Sequence, residues 1–162
     1  NIMDDAGIDY RYVIGNHDMT NYGRSHETSM TDYQNMYGPA WYSFNVGKVH
    51  YVVLNDNFFI GRDWYYIGYL DERQLRWLEE DLSYVPKGSK VAVCIHIPTT
   101  LDKSDRDAFR SDLMLDNLCN KPALYAMLKP YDALILSGHM HTADYEQIDD
   151  NITEINVAGL TS

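Results

Sequence analysis

The chain has 162 residues, 45% of them hydrophobic, which is about one domain's worth of material and enough apolar mass for a real core. Its formal charge of −11 excludes a general nucleic-acid binder, because that role needs a basic stripe to neutralise phosphates. No apolar run reaches the roughly 18 residues of a membrane span, so none is expected, and an anionic small molecule would need a bound cation to reverse the local field.

In chain order, the first apolar run of strand length is Tyr10 to Ile14, followed at once by Gly15-Asn16-His17-Asp18. Between Trp41 and Leu54, WYSFNVGKVHYVVL alternates apolar and polar residues around Val46-Gly47-Lys48, which predicts an antiparallel hairpin turning at Gly47. Asp71 then stands as an N-cap, with Gln74 three positions on and Leu75, Leu78 and Leu82 at helical spacing; Pro86 and Gly88 mark the stop. Lys90 to Ile95 is a second buried strand, Pro122 to Leu128 a second helix, and Ala133 to Leu136 a third strand. Ala143 to Ile148 and Thr153 to Val157 flank an Asp149-Asp150-Asn151 turn as a closing hairpin.

Strands alternating with helices describe an α/β domain whose sheet is mixed or split into two packed layers. No linker, repeat or domain boundary interrupts it. Cys94 sits in an apolar run and Cys119 in a polar helical stretch, with no C-x-x-C spacing, so both read as free thiols. Asn151-Ile152-Thr153 fits a glycosylation acceptor, a weak pattern by itself.

Three polar clusters occupy the same place relative to their strands. YRYVI ends in Gly15-Asn16-His17-Asp18, KVAVCI in His96-Ile97-Pro98, and ALILS in Gly138-His139-Met140-His141. Ligands of open α/β sheets bind outside the carboxyl ends of the strands, so the clusters are placed to share one crevice. Separately each is weak: Gly-Asn is a common turn, and a single histidine after a strand is usually a hydrogen-bonded rim residue. Together they read as a metal site. A carboxamide oxygen adds no negative charge and leaves an ion Lewis-acidic, and in an extended segment His139 and His141 would point their rings to one side.

The order G-N-H-D, H-x-P, G-H-x-H resembles the calcineurin-like metallophosphoesterase superfamily over Val13 to His141. The resemblance implies an α/β fold in which helices flank a β-sandwich (αββα layers). It also implies a phosphatase or phosphodiesterase that hydrolyses a phosphoester by a metal-activated water, with two metal ions (Mn, Fe or Zn) as cofactors. By position, Asn16, His96 and His139 match ligands of the second metal and His141 a ligand of the first. His17 matches the histidine that contacts the substrate phosphate or leaving oxygen, and Asp18 its orienting partner. Asp56, at the end of VHYVVLN, corresponds to an acidic residue that is not a ligand.

The family's D-x-H and G-D-x-x-D motifs are absent from these 162 residues. Residues 1–162 are therefore expected to be the central to C-terminal part of a single metallophosphoesterase domain, its N-terminal strands missing and its own activity low or nil. Self-association through an uncovered apolar edge or face is expected in turn. The alternative is a non-catalytic binding or regulatory relative that keeps the fold. A metallo-β-lactamase-like hydrolase would need H-x-H-x-D-H, and none is present. Substrate-defining loops are expected at Met19 to Pro39 and Thr99 to Asn120, with Tyr22, Arg24, His26, Arg106 and Arg110 as candidate phosphate contacts.

Overall fold

The apolar runs become the parallel centre of one mixed sheet. A computed structural model describes residues 2–20, 24–60, 66–100 and 116–159. The elements are α1 (Ile2–Asp5), a 3-10 turn (Asn16–Asp18), α2 (His26–Ser29), α3 (Thr31–Tyr37), β1 (Tyr42–Val46), β2 (Val49–Val53), β3 (Asn57–Phe59) and β4 (Tyr66–Gly68). There follow α4 (Glu72–Ser83), β5 (Lys90–Cys94), α5 (Lys121–Leu128), β6 (Asp132–Ser137), β7 (Asp144–Asp149) and β8 (Ile152–Asn156). Six strands lie in the order β1-β2-β5-β6-β8-β7, and β3 pairs with β4 in a separate small sheet. Strands β2, β5, β6 and β8 run parallel, with antiparallel β1 and β7 at the edges.

The β1–β2 hairpin turns at Gly47, whose φ of 59° is a left-handed value suited to glycine. Asp71 caps α4 by accepting from Gln74 N–H. The Gln74 side chain does not reach back to complete a capping box. It is buried instead, accepting from Asn55 N–H at 2.9 Å and donating to Asn55 O at 2.7 Å, so it fastens α4 to the carboxyl end of β2. Leu78 and Leu82 of α4 and Leu124 and Leu128 of α5 bury against Val52, Val91, Val93, Ala133, Ile135 and Ile152, making the main core on one face of the sheet. Asn151 donates its amide to Lys129 O at 2.8 Å and to Tyr131 O, which commits that side chain to tying the last hairpin to the turn before β6.

Two local expectations are corrected. Tyr10 to Ile14 forms no strand. Its carbonyls are served by side chains, Tyr42 Oη donating to Tyr12 O at 2.8 Å and Asn57 Nδ2 to Ile14 O at 3.0 Å. Ile14 is buried in a second, smaller core with Met19, Met30, Tyr33, Ala40 and Phe59. Its apolar character therefore reflects burial and not a ladder. Cys119 lies exposed in the turn before α5, not on a helix, because Asn120 marks that helix's start; neither cysteine is in a disulfide.

The sheet's other face carries two rows set by the strand registers. One is Tyr42, Val53, Cys94, Leu136, Ile155 and Tyr145; the other is Phe44, Tyr51, Ala92, Leu134, Thr153 and Gln147. None of these side chains is charged, yet Ile155 is 36% and Tyr145 61% exposed, and Leu134 and Leu136 are half-buried. No helix among the described residues is long and apolar enough to cross a membrane.

Candidate metal centre

The strand pattern continues past the ends of the central strands and lays the ligand loops side by side. Ile95 N–H donates to Leu136 O and Gly138 N–H to His96 O, both at 3.0 Å, so the residues after β5 and β6 advance in step. The 3-10 turn brings Asn16 against them. Gly15 gives the close approach there: a Cβ would crowd three atoms of the His96 ring at 3.1 to 3.3 Å.

Two side-chain donors close on the His96 ring. Asn16 Oδ1 lies 2.8 Å from His96 Nε2, and His139 Nδ1 lies 3.1 Å from the same nitrogen, with the two imidazole rings 4.9 Å apart at 68°. Ligands bound at about 2.1 Å to one ion stand about 3.0–3.4 Å from each other, so the His139–His96 separation fits a shared ion and the Asn16–His96 separation is slightly shorter. Burial pushes the His96 pKa down to about 4, helped by His139, His17 and His141; burial also lowers that of His139, against the opposing pull of Asp116. Both imidazoles are thus neutral near pH 7, the form that binds a metal. Among the described residues no group of three or more His, Cys, Asp or Glu side chains is arranged to hold a metal ion. The third donor here is a carboxamide.

The other expected residues stand around this trio. His17 and His141 are exposed on its rim, within electrostatic reach of His96 and His139. His139 and His141 both have left-handed backbones, φ 67° and 57°, so the loop is not extended and does not align their rings by strand alternation. Left-handed non-glycine residues are strained by about 1–3 kcal/mol and gather at functional sites. Asp18 turns its carboxylate back on its own turn, Oδ2 accepting from Gly15 N–H at 2.8 Å. Arg24 is engaged with Thr28 O and Asp32, and His26 is buried against Phe58, so neither faces the trio. Tyr22, Arg106 and Arg110 lie outside the described residues.

Four residues support the trio without belonging to a motif. Asp116 Oδ1 meets His139 Nε2 at 3.2 Å, leaving Nδ1 directed at His96. Carboxylate–imidazole pairs of this kind fix ring orientation and raise basicity in metal sites. Tyr66 Oη accepts from Asn16 Nδ2 at 3.1 Å. Asp56 is fully buried and accepts from His96 N–H at 3.1 Å and Ile97 N–H at 2.8 Å; burial outweighs these bonds and pushes its pKa up to about 8. It holds the backbone beneath His96 and does not contribute to the trio of donors. Glu154, 1% exposed, takes four bonds of 2.7–2.8 Å, from Thr99 N–H, Thr99 Oγ1, Thr100 Oγ1 and Ser137 Oγ. One carboxylate thereby joins the loop after His96 to the strand end before His139. The partners of Tyr66, Asp116 and Glu154 lie 50, 23 and 55 positions away, beyond the range of local patterns.

No family model matches the sequence, and no curated protein matches it. Solved structures do. The fold is similar to that of a dimetal phosphatase from Danio rerio, with a TM-score of 0.64 and 15% identity, over 97% of this chain and 63% of that one. It is also similar to that of a purple acid phosphatase from yellow lupin (Lupinus luteus) seeds, with a TM-score of 0.62 and 14% identity, over 94% of this chain and 31% of that one. The chain thus spans less than two thirds of either phosphatase's length, and at these identities the likeness is one of fold. A six-stranded mixed sheet flanked by helices, similar to that of both phosphatases, gives this chain a metallophosphoesterase-type fold.

Proposed function

We propose that this chain carries part of the metal centre of a phosphoester hydrolase. The observation that carries the reading is the approach of Asn16 Oδ1 and His139 Nδ1 to His96 Nε2, at 2.8 and 3.1 Å. All three donors are uncharged, a set that suits a Mn, Fe or Zn ion. When bound, such an ion supplies a Lewis acid and an activated water near neutral pH. Asp116 holds the His139 ring, and Asp56 and Glu154 hold the loops, so the donors are fixed before an ion arrives. His17, exposed beside the trio, is the group that donates a hydrogen bond or proton to the substrate phosphate or leaving oxygen. Asp18 fixes the turn that presents it. His141 is assigned to a neighbouring metal.

The expected result is that the purified chain binds about one equivalent of Zn2+ or Mn2+ by calorimetry but does not turn over p-nitrophenyl phosphate or its diester. Robust turnover would overturn the need for further ligands. Absence of metal binding would overturn the centre and favour a non-catalytic relative, the reading that the missing D-x-H and G-D-x-x-D motifs support. We further propose that the chain self-associates through the two uncharged rows of the sheet face opposite the main core. Light scattering should then show a mass that rises with concentration and falls for Leu136→Lys/Ile155→Lys, whereas a monodisperse monomer would refute it.

A further inference from the structure

We infer that Tyr66 is a positioning residue of this centre, anchoring the nitrogen end of the Asn16 carboxamide so that its oxygen faces the ion; the inference rests on the metal-centre reading above. The two ends of the amide face different partners, Oδ1 toward His96 Nε2 at 2.8 Å and Nδ2 toward Tyr66 Oη at 3.1 Å. Only the oxygen can coordinate a cation. Once Oδ1 is committed, the NH2 group needs an acceptor in a half-buried place, and the Tyr66 hydroxyl stands within reach. A hydroxyl can donate or accept, and here it takes the accepting role. Without it the amide is free to turn its NH2 toward the ion.

The placement of Tyr66 is built into the fold. Gly68 bridges Leu118 in parallel, Cys119 N–H donates to Gly68 O at 2.7 Å, and a Cβ at Gly68 would stand 2.5 Å from Asn117 O, so β4 lies tight against the segment before α5. Tyr66 and Asp116 each stand two residues before that bridge. The pair of segments therefore presents a phenol and a carboxylate side by side, one to Asn16 and the other to His139. The Tyr66 ring also meets the His139 ring edge-on, centroids 6.1 Å apart at 85°.

The test uses the 162-residue chain, labelled with 15N. In metal-free wild type, the Asn16 side-chain amide protons, assigned by their loss in Asn16→Ala, should show NMR contacts to the Tyr66 ring. Tyr66→Phe keeps the ring and its packing; it should move those amide resonances and weaken Zn2+ binding about 10–100-fold. In an Asn16→Ala background it should bring no further loss. Missing contacts in the wild type, unmoved Asn16 resonances, or losses that multiply across the two substitutions would overturn the inference. A wild-type chain that binds no Zn2+ sinks the metal-centre reading, while the metal-free NMR comparison still decides the Tyr66–Asn16 anchor.

Discussion

Replacing Glu154 with alanine is expected to cost about 3–5 kcal/mol of folding stability, a large share of a small domain's total. The carboxylate is buried and receives one backbone N–H and three hydroxyls. A buried donor left without an acceptor costs about 1–3 kcal/mol, and hydroxyls recover part of that by turning to other partners. The Thr99 N–H cannot turn. Glutamine should cost less, about 1–2 kcal/mol, since it keeps one carbonyl oxygen and the hydroxyls can accept from its NH2. Urea unfolding monitored by tyrosine and tryptophan fluorescence checks both, with an unchanged denaturant slope marking a true stability loss. A Glu154→Ala midpoint equal to wild type would refute the account. Because the same carboxylate joins the loops bearing His96 and His139, the alanine variant should also bind metal more weakly.

The second large effect concerns the trio itself. His96→Ala and His139→Ala are each expected to weaken Zn2+ binding by more than the roughly 10–100-fold that loss of a supporting residue costs. Asp116→Asn should fall within that range. His17→Ala should leave affinity nearly unchanged, because its ring stands on the rim and its role is directed at substrate. Competition calorimetry against a chelator of known affinity separates the three classes. If His17→Ala proved as damaging as His96→Ala, the division between ligands and substrate contact would fall. His96 is the most exposed to failure of the reading, since both other donors point at its Nε2.

Much of this was legible along the chain, for definite reasons. β2, β5 and β6 announce themselves as β-branched runs because they are central strands of the sheet, and α4 does so because one face must pack on it. The His96 and Gly138-to-His141 clusters could be placed together because parallel β5 and β6 deliver their carboxyl ends to one side, whereas Asn16 reaches them from a 3-10 turn with no strand before it. Tyr10 to Ile14 misled, since apolar composition reports burial and Ile14 is buried in a cluster with Met30, Tyr33 of α3 and Phe59 of β3 without a strand partner. The i, i+2 spacing of His139 and His141 assumed an extended backbone that their positive φ values deny. Glu154 and Asp116 carry no signature at all. A buried carboxylate and a surface one look alike until the fold brings hydroxyls or an imidazole to them.

The two neutral rows of the sheet bear on how this chain's robustness should be measured. Water would permit a charged side chain at Ile155 or Tyr145, and charged residues make up 23% of the chain. Their exclusion from both rows means that a contact made there is favoured by dehydration and opposed by little. Assembly there would add free energy by mass action and make the melting temperature a property of the sample's dilution as much as of the fold.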